Sequence, residues 1–261
     1  MKNDINVIIL AAGKGTRLRP VTNTIPKCMI PFLGKPLLER QRDALTTCGI
    51  DSITVVAGYK NEAISRDQFT VCLNPEFDST NMVYTLFCAE SSIDPSKDTL
   101  LIYGDCIYED RVIKALLDDP SDLALTIDLN WRAYWNERLE NPLEDAETLK
   151  LDALGNIIEL GKKPESYDDV QGQYMGLIKI AAGLWPKISS LYHDLPKDLQ
   201  FDGKDFNNMY MTSFLQYIIN QGLPIKSVPV SGGWLEFDSV EDLDLYERLH
   251  KDGRLTPFYK A

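Results

Sequence analysis

The residues best suited to chemistry crowd into one opening stretch, VIILAAGKGTRLRPVTNTIPKCMIP at positions 7–31. An apolar run leads into Gly13 and Gly15, followed by Arg17 and then Lys27 between two prolines. No acidic residue falls between Ile5 and Leu38, yet Lys14, Arg17, Arg19, Lys27 and Lys35 all do, in a chain whose formal charge is -12. A basic opening in an acidic protein points to an anion. Glycines after a strand let backbone N–H groups approach a phosphate, and the free cations suit a triphosphate. The stretch lacks the GxxxxGK-Ser/Thr pattern of a P-loop, and Leu18 stands where a dinucleotide fingerprint needs its third glycine. A plain glycine turn with solvated basic residues is the competing reading.

Two carboxylates form the second group. Asp105 follows TLLIYG and Asp238 follows WLEF, each just past an apolar run of strand length. If both strands lie parallel in one sheet, the two side chains emerge at the same edge. Hard oxygen ligands of this kind suit Mg²⁺, which takes one or two carboxylates together with substrate phosphates. Beside Ser239, Asp238 also reads as a simple helix cap. A third group is DLNWRAYWNER, where Asp128, Trp131, Tyr134 and Trp135 would suit an ammonium group. The i,i+4 spacing of Trp131 and Trp135 favours core packing instead.

Composition narrows the function classes. A pI near 4.7 argues against nucleic acid or an anionic membrane as partner. The apolar runs are strand-sized, far below the roughly 20 residues that span a bilayer. The N-terminus lacks the pattern of a signal peptide, and the five cysteines are odd in number with no CxxC pair. A cytoplasmic protein with reduced thiols is the expectation. With His193 and His250 as the only histidines, histidine-based catalysis is not expected.

The elements that must position these residues follow from periodicity. NVIIL, ITVVAG, TLLIY and LALTID read as buried strands, alternating with helical patterns in PLLERQRDALTTCG, NMVYTLFCAE and RVIKALL. That rhythm predicts an α/β fold: a doubly wound, mostly parallel mixed sheet. The rhythm changes over roughly residues 130–180, where TLKLDALGNIIEL predicts two strands joined at Asp152–Gly155 and GQYMGLIKI alternates like a sheet strand. DFNNMYMTSFLQYIINQG predicts one helix, and Ser239 with Asp242 a capping box for the last. One domain over residues 1–261, with a small β-rich sub-region, is expected.

LAAGKGTRLRP…PKCMIPFLGKPLLE closely resembles the signature of the nucleotidyltransferases that couple a nucleoside triphosphate to a phosphorylated small molecule. NPEFDSTNMVYTL and GGWLEFDSVEDL resemble, within that family, the cytidylyltransferases acting on phosphocholine and aminoalkylphosphonates. The resemblance implies a Rossmann-like nucleotidyltransferase fold, Mg²⁺ on Asp105 and Asp238, and CTP as the favoured donor. It implies that Gly13 and Gly15 hold the nucleotide, that Arg17 and Lys27 contact its phosphates, and that Thr80 and Asn81 lie near it. Ser-Thr-Asn is equally a helix N-cap, and the two roles are compatible. The expected nucleotide set is completed by Leu10, Ala11, Ala12, Lys14, Thr16, Gly58 and Gly104, with Arg17, Lys27 and Asp105 as the catalytic residues. The expected acceptor set is Asp128, Trp131, Lys163 and Glu236. Sugar-phosphate enzymes usually carry Glu-Lys-Pro where this chain has KKP at 162–164, so Lys162 cannot accept from sugar hydroxyls. A small non-sugar acceptor is therefore expected, with a sugar-1-phosphate nucleotidyltransferase and a non-catalytic nucleotide sensor as alternatives. Monomer and homodimer both stay open.

Overall fold

A computed structural model describes residues 4–261. The first half runs β1 (Asn6–Ala11), a short hairpin of β2 (Pro31–Phe32) and β3 (Lys35–Pro36), α1 (Leu37–Thr47), β4 (Thr54–Ala57), β5 (Thr70–Leu73), α2 (Met82–Phe87) and β6 (Thr99–Tyr103). There follow β7 (Cys106–Tyr108), α3 (Asp110–Asp118), β8 (Leu123–Asp128), α4 (Trp131–Arg138), β9 (Leu149–Leu151), β10 (Asn156–Leu160) and β11 (Gln173–Ile180). The chain closes with α5 (Trp185–His193), α6 (Met211–Asn220), β12 (Ile225–Val230), β13 (Trp234–Glu236) and α7 (Val240–Lys251).

Nine strands form one sheet in the order β5-β4-β1-β6-β11-β8-β12-β10-β9. β1 pairs in parallel with β4 on one side and β6 on the other, so the chain reverses direction across the sheet at β1. That reversal opens a crevice at the carboxyl end of β1, the place where doubly wound sheets bind ligands. β11 runs antiparallel between β6 and β8, which makes the sheet mixed.

The two-residue period of β1 divides the core. Val7, Ile9 and Ala11 face the cluster covered by α1, α3, α4 and α7, while Ile8 and Leu10 face the one covered by α2, α5 and α6. Helices thus cover both faces, as the βα alternation predicts.

Two local expectations need correction. β11 is buried along all eight residues instead of alternating, because it lies mid-sheet with both faces covered. The predicted helix over DFNNMYMTSFLQYIINQG is broken: a 3-10 turn at Phe206–Asn208, capped by Asp205, precedes α6, with Tyr210 extended between them. β9 and β10 meet at the predicted turn, where Gly155 N–H donates to Asp152 O at 3.0 Å. β10 pairs with β12 and β9 with β10, so the two strands extend the main sheet at one edge.

Candidate active site

Past β1 the chain enters the glycine loop. Gly15 sits at φ 59°, a left-handed conformation that costs a side-chain-bearing residue energy. A Cβ there would also lie 3.0 Å from Cβ of Lys27. Gly13 differs: a Cβ at that position would meet nothing within 4 Å, so glycine keeps a cleft open rather than relieving crowding. Thr22 Oγ1 donates to Gly15 O at 2.8 Å and holds the loop against the segment that carries Lys27.

The turn that follows β6 closes one side of the cleft. Gly104 N–H donates to Leu10 O at 2.9 Å, and a Cβ on Gly104 would stand 2.7 Å from that oxygen. Only glycine lets the β6 end turn so close to β1. Gln41 on α1 braces the same turn, donating to Tyr103 O at 2.7 Å and also to Cys106 O. This fixes Asp105.

Asp238 arrives from a different direction than expected. β13 and β7 form a separate antiparallel ribbon with Glu236 opposite Cys106, and Phe237 N–H donates to Asp105 O at 3.0 Å. The two aspartates therefore meet across an antiparallel pair, not at a common edge of parallel strands. Ser239 takes the capping role: Asp242 N–H donates to Ser239 Oγ at 3.1 Å, and Asp242 Oδ2 accepts from Asp238 N–H at 3.0 Å. Asp238's carboxylate is left for the cleft.

Lys27 joins the two. Its Nζ lies 2.6 Å from Asp105 Oδ2 and 2.7 Å from Asp238 Oδ1, and Arg17 Nη2 lies 3.1 Å from the same Asp238 oxygen. Burial pulls the Lys27 pKa down, but Asp105 and Asp238 outweigh it and hold the ammonium charged. Burial opposes charge on Asp238 too, and Lys27, Arg17 and Arg138 overcome it, keeping its pKa below the ordinary value. Burial pushes the Cys28 thiol up to about 12, so this cleft-lining cysteine stays a neutral wall.

Two cavities meet at this cluster. The first, of about 290 Å³, is lined by Leu10, Ala11, Ala12, Gly13, Gly15, Thr16, Arg17, Lys27, Thr80, Asn81, Gly104, Asp105 and Asp238, as well as Cys28, Phe77, Met82 and Thr85. Asn81 caps α2, accepting from Met82 N–H at 2.8 Å, while also facing the cleft. Gly58 lies behind Phe77, whose ring wall needs a residue without a side chain there. Lys14 pairs with Asp78 instead of lining the cavity.

The second cavity, of about 210 Å³, shares Met82 and Asp238 with the first. Tyr103, Trp135, Tyr174, Tyr210 and Trp234 form aromatic walls, and its charged lining is wholly acidic: Asp145, Glu147, Glu236 and Asp238. Glu236 is held by Arg138 at 3.0 Å, and burial, then the charge of Asp238, raises its pKa.

Three expected acceptor residues stand outside both cavities. Asp128 is fully buried, accepting from Asn130 N–H at 2.8 Å, Gly232 N–H at 2.8 Å and Trp234 Nε1 at 2.9 Å. Both its oxygens are taken by the protein. Trp131 is core, packed on Trp135 and Tyr167. Lys163 turns away, with Nζ donating to Glu144 O at 2.7 Å. The missed residues are Asp145, Glu147 and Gln173 in the second cavity, and Phe77, Met82 and Thr85 in the first. Only Asp145 and Glu147 left a visible sign, two of the three carboxylates just ahead of the strand in LEDAETLKL.

The donor set fits Mg²⁺. Asp105 and Asp238 each use one oxygen on Lys27, leaving hard oxygen atoms beside the cleft. Among the described residues, no group of three or more His, Cys, Asp or Glu is arranged to hold a metal ion. Phosphate oxygens of a substrate would have to complete the shell, the usual habit of Mg²⁺. No helix among the described residues is long and apolar enough to cross a membrane.

Residues 7–149 match the family described as MobA-like NTP transferase domain. The chain is 40% identical over 250 residues to the CTP:phosphoglutamine cytidylyltransferase of Campylobacter jejuni subsp. jejuni serotype O:2, covering 92% of this chain and 98% of that one. It is 33% identical to the UTP–glucose-1-phosphate uridylyltransferase AglF of Haloferax volcanii, covering 94% and 96%. Among solved structures, the inositol-1-phosphate CTP transferase from T. maritima shares the fold, with a TM-score of 0.71 at 20% identity over 100% of both chains. The chain belongs to the nucleotidyltransferase family that carries the MobA-like NTP transferase domain.

Proposed function

We propose that the protein transfers the cytidylyl group of CTP to a small, non-sugar phosphorylated or phosphonate acceptor and releases pyrophosphate. The observation that carries this reading is the position of Lys27, Asp105 and Asp238 at the junction of two cavities, one glycine-walled and one aromatic and acidic. CTP would occupy the first cavity and the acceptor the second. Of two full-length relatives, the cytidylyltransferase is more similar than the uridylyltransferase, 40% against 33%, which favours CTP. Lys162, which pairs with Glu159 at 2.8 Å outside the second cavity, leaves no carboxylate at the position where sugar enzymes need one.

The chemistry asks little of acid–base groups. A phosphoryl oxygen of the acceptor, largely dianionic near neutral pH, attacks the α-phosphorus. The P–O bond to the β-phosphate breaks, and its electron pair leaves with pyrophosphate. The protein aligns the three centres and neutralises charge. Lys27 faces the transferring phosphate, and Arg17, exposed at the cleft mouth, is free to leave Asp238 for the triphosphate. Asp105 and Asp238 would hold Mg²⁺, which supplies charge neutralisation on the phosphates when bound. The testing experiment is a panel of nucleoside triphosphates against acceptors, read by pyrophosphate release. CTP with an amine-bearing phosphate should be turned over best; efficient use of hexose-1-phosphates in place of amine-bearing acceptors would overturn the reading.

A further inference from the structure

The second cavity holds four carboxylates, and three are already engaged. Glu236 pairs with Arg138, Asp238 with Lys27 and Arg17, and Asp145 accepts from Trp135 Nε1 at 3.1 Å. Glu147 has no hydrogen bond or ion pair among the described residues, although it lines the same cavity. Gln173 lines it too; the residue is only 6% exposed, and its Oε1 is buried without a hydrogen-bond partner. A buried acceptor atom left unpaired costs free energy unless something donates to it. Tyr174 OH, in the same cavity, is likewise buried without a partner, and no Lys, Arg or His lines the cavity to supply a cation.

Resting on the reading that the acceptor enters this cavity, we infer that Glu147 and Gln173 Oε1 together bind a primary ammonium group of the acceptor. A primary ammonium supplies both a positive charge for Glu147 and N–H donors for the amide oxygen. A quaternary ammonium matches the aromatic walls but has no hydrogen to give, so Gln173 Oε1 would stay unpaired. The site therefore selects amino-bearing phosphates or phosphonates over their N-methylated counterparts. Burial, followed by the charge of Asp145 and then Asp202, pushes the Glu147 carboxyl up to about 7, as expected of an acid that lacks its cation.

The test uses the whole enzyme with CTP and a graded set of acceptors: phosphoethanolamine, its mono-, di- and trimethylated forms, and ethyl phosphate. The primary amine should give the lowest acceptor KM, with a rise of about tenfold or more by the trimethylated form. Glu147→Gln should raise the acceptor KM about 10- to 100-fold while leaving the CTP KM within about twofold. Gln173→Met should reduce the discrimination between primary and quaternary amines. Calorimetric binding of phosphoethanolamine in two buffers should show proton release with the native protein and none with Glu147→Gln. Equal KM values across the methylated series, or a Glu147→Gln variant that is unchanged, would overturn this inference while leaving cytidylyl transfer intact. Failure of every acceptor to release pyrophosphate from CTP would instead overturn the functional reading, and this inference with it.

Discussion

At the scale of single residues, charge compensation governs the site. Lys27 is wedged between Asp105 and Asp238, so its removal leaves two carboxylates facing each other without a cation. Lys27→Ala is expected to lower turnover about 10²-fold or more, like the loss of one transition-state donor. It should also destabilise the free protein by about 1–3 kcal/mol, because the ion cluster is partly buried. Pyrophosphate release together with urea unfolding checks both; unchanged turnover in a folded variant would discard the assignment. Glu147 makes the opposite kind of prediction. Its pKa is raised from 4.5 to about 7, chiefly by burial. The native state therefore holds a proton that the unfolded state has released, and stability falls as pH rises between those values. Glu147→Gln should be more stable than the native protein at pH 8, by about 1–3 kcal/mol, with the difference vanishing near pH 4. Melting temperatures across that pH range would show it.

Among the elements, the start of α7 has the most direct link to chemistry. Its capping box ties Ser239 to Asp242, and Asp242 in turn fixes the backbone of Asp238. Ser239→Ala should cost about 1 kcal/mol of stability. If the cap positions the carboxylate, the concentration of Mg²⁺ needed for half-maximal activity should rise as well. A loss of stability with an unchanged Mg²⁺ dependence would make the cap purely structural. The β6 turn is the matching device on the other side, where Gly104 lies against Leu10 O and Gln41 braces both flanks.

For the whole molecule, the decisive fact is that Asp105 and Asp238 come from distant parts of the chain and are joined by the β7–β13 ribbon. Carboxylates that act on one ion should not contribute independently. Asp105→Asn and Asp238→Asn are each expected to abolish most Mg²⁺-dependent activity, and the double variant should be little worse than either alone. Multiplicative losses in kcat, measured at saturating CTP, would separate the two residues into different roles.

Sequence alone determined whatever local periodicity and short motifs encode. The strand–helix alternation implied helices on both faces of the sheet. The glycine loop, Arg17 and Lys27 were legible because their spacing lies within one short segment. The Ser239–Asp242 cap was legible for the same reason. Tertiary structure decided everything that rests on contacts between distant segments. The antiparallel route of Asp238 depends on a strand pairing that neither partner's sequence reveals. Asp128 looked like an acceptor ligand because its neighbours are aromatic, yet Gly232 and Trp234 arrive from afar and take its oxygens. Glu147 and Gln173 carry no motif; they became notable only when folding placed both in one cavity, with Gln173 Oε1 buried and unpartnered. An unmet hydrogen bond or charge is a property of a side chain's surroundings, and only the packed chain supplies those.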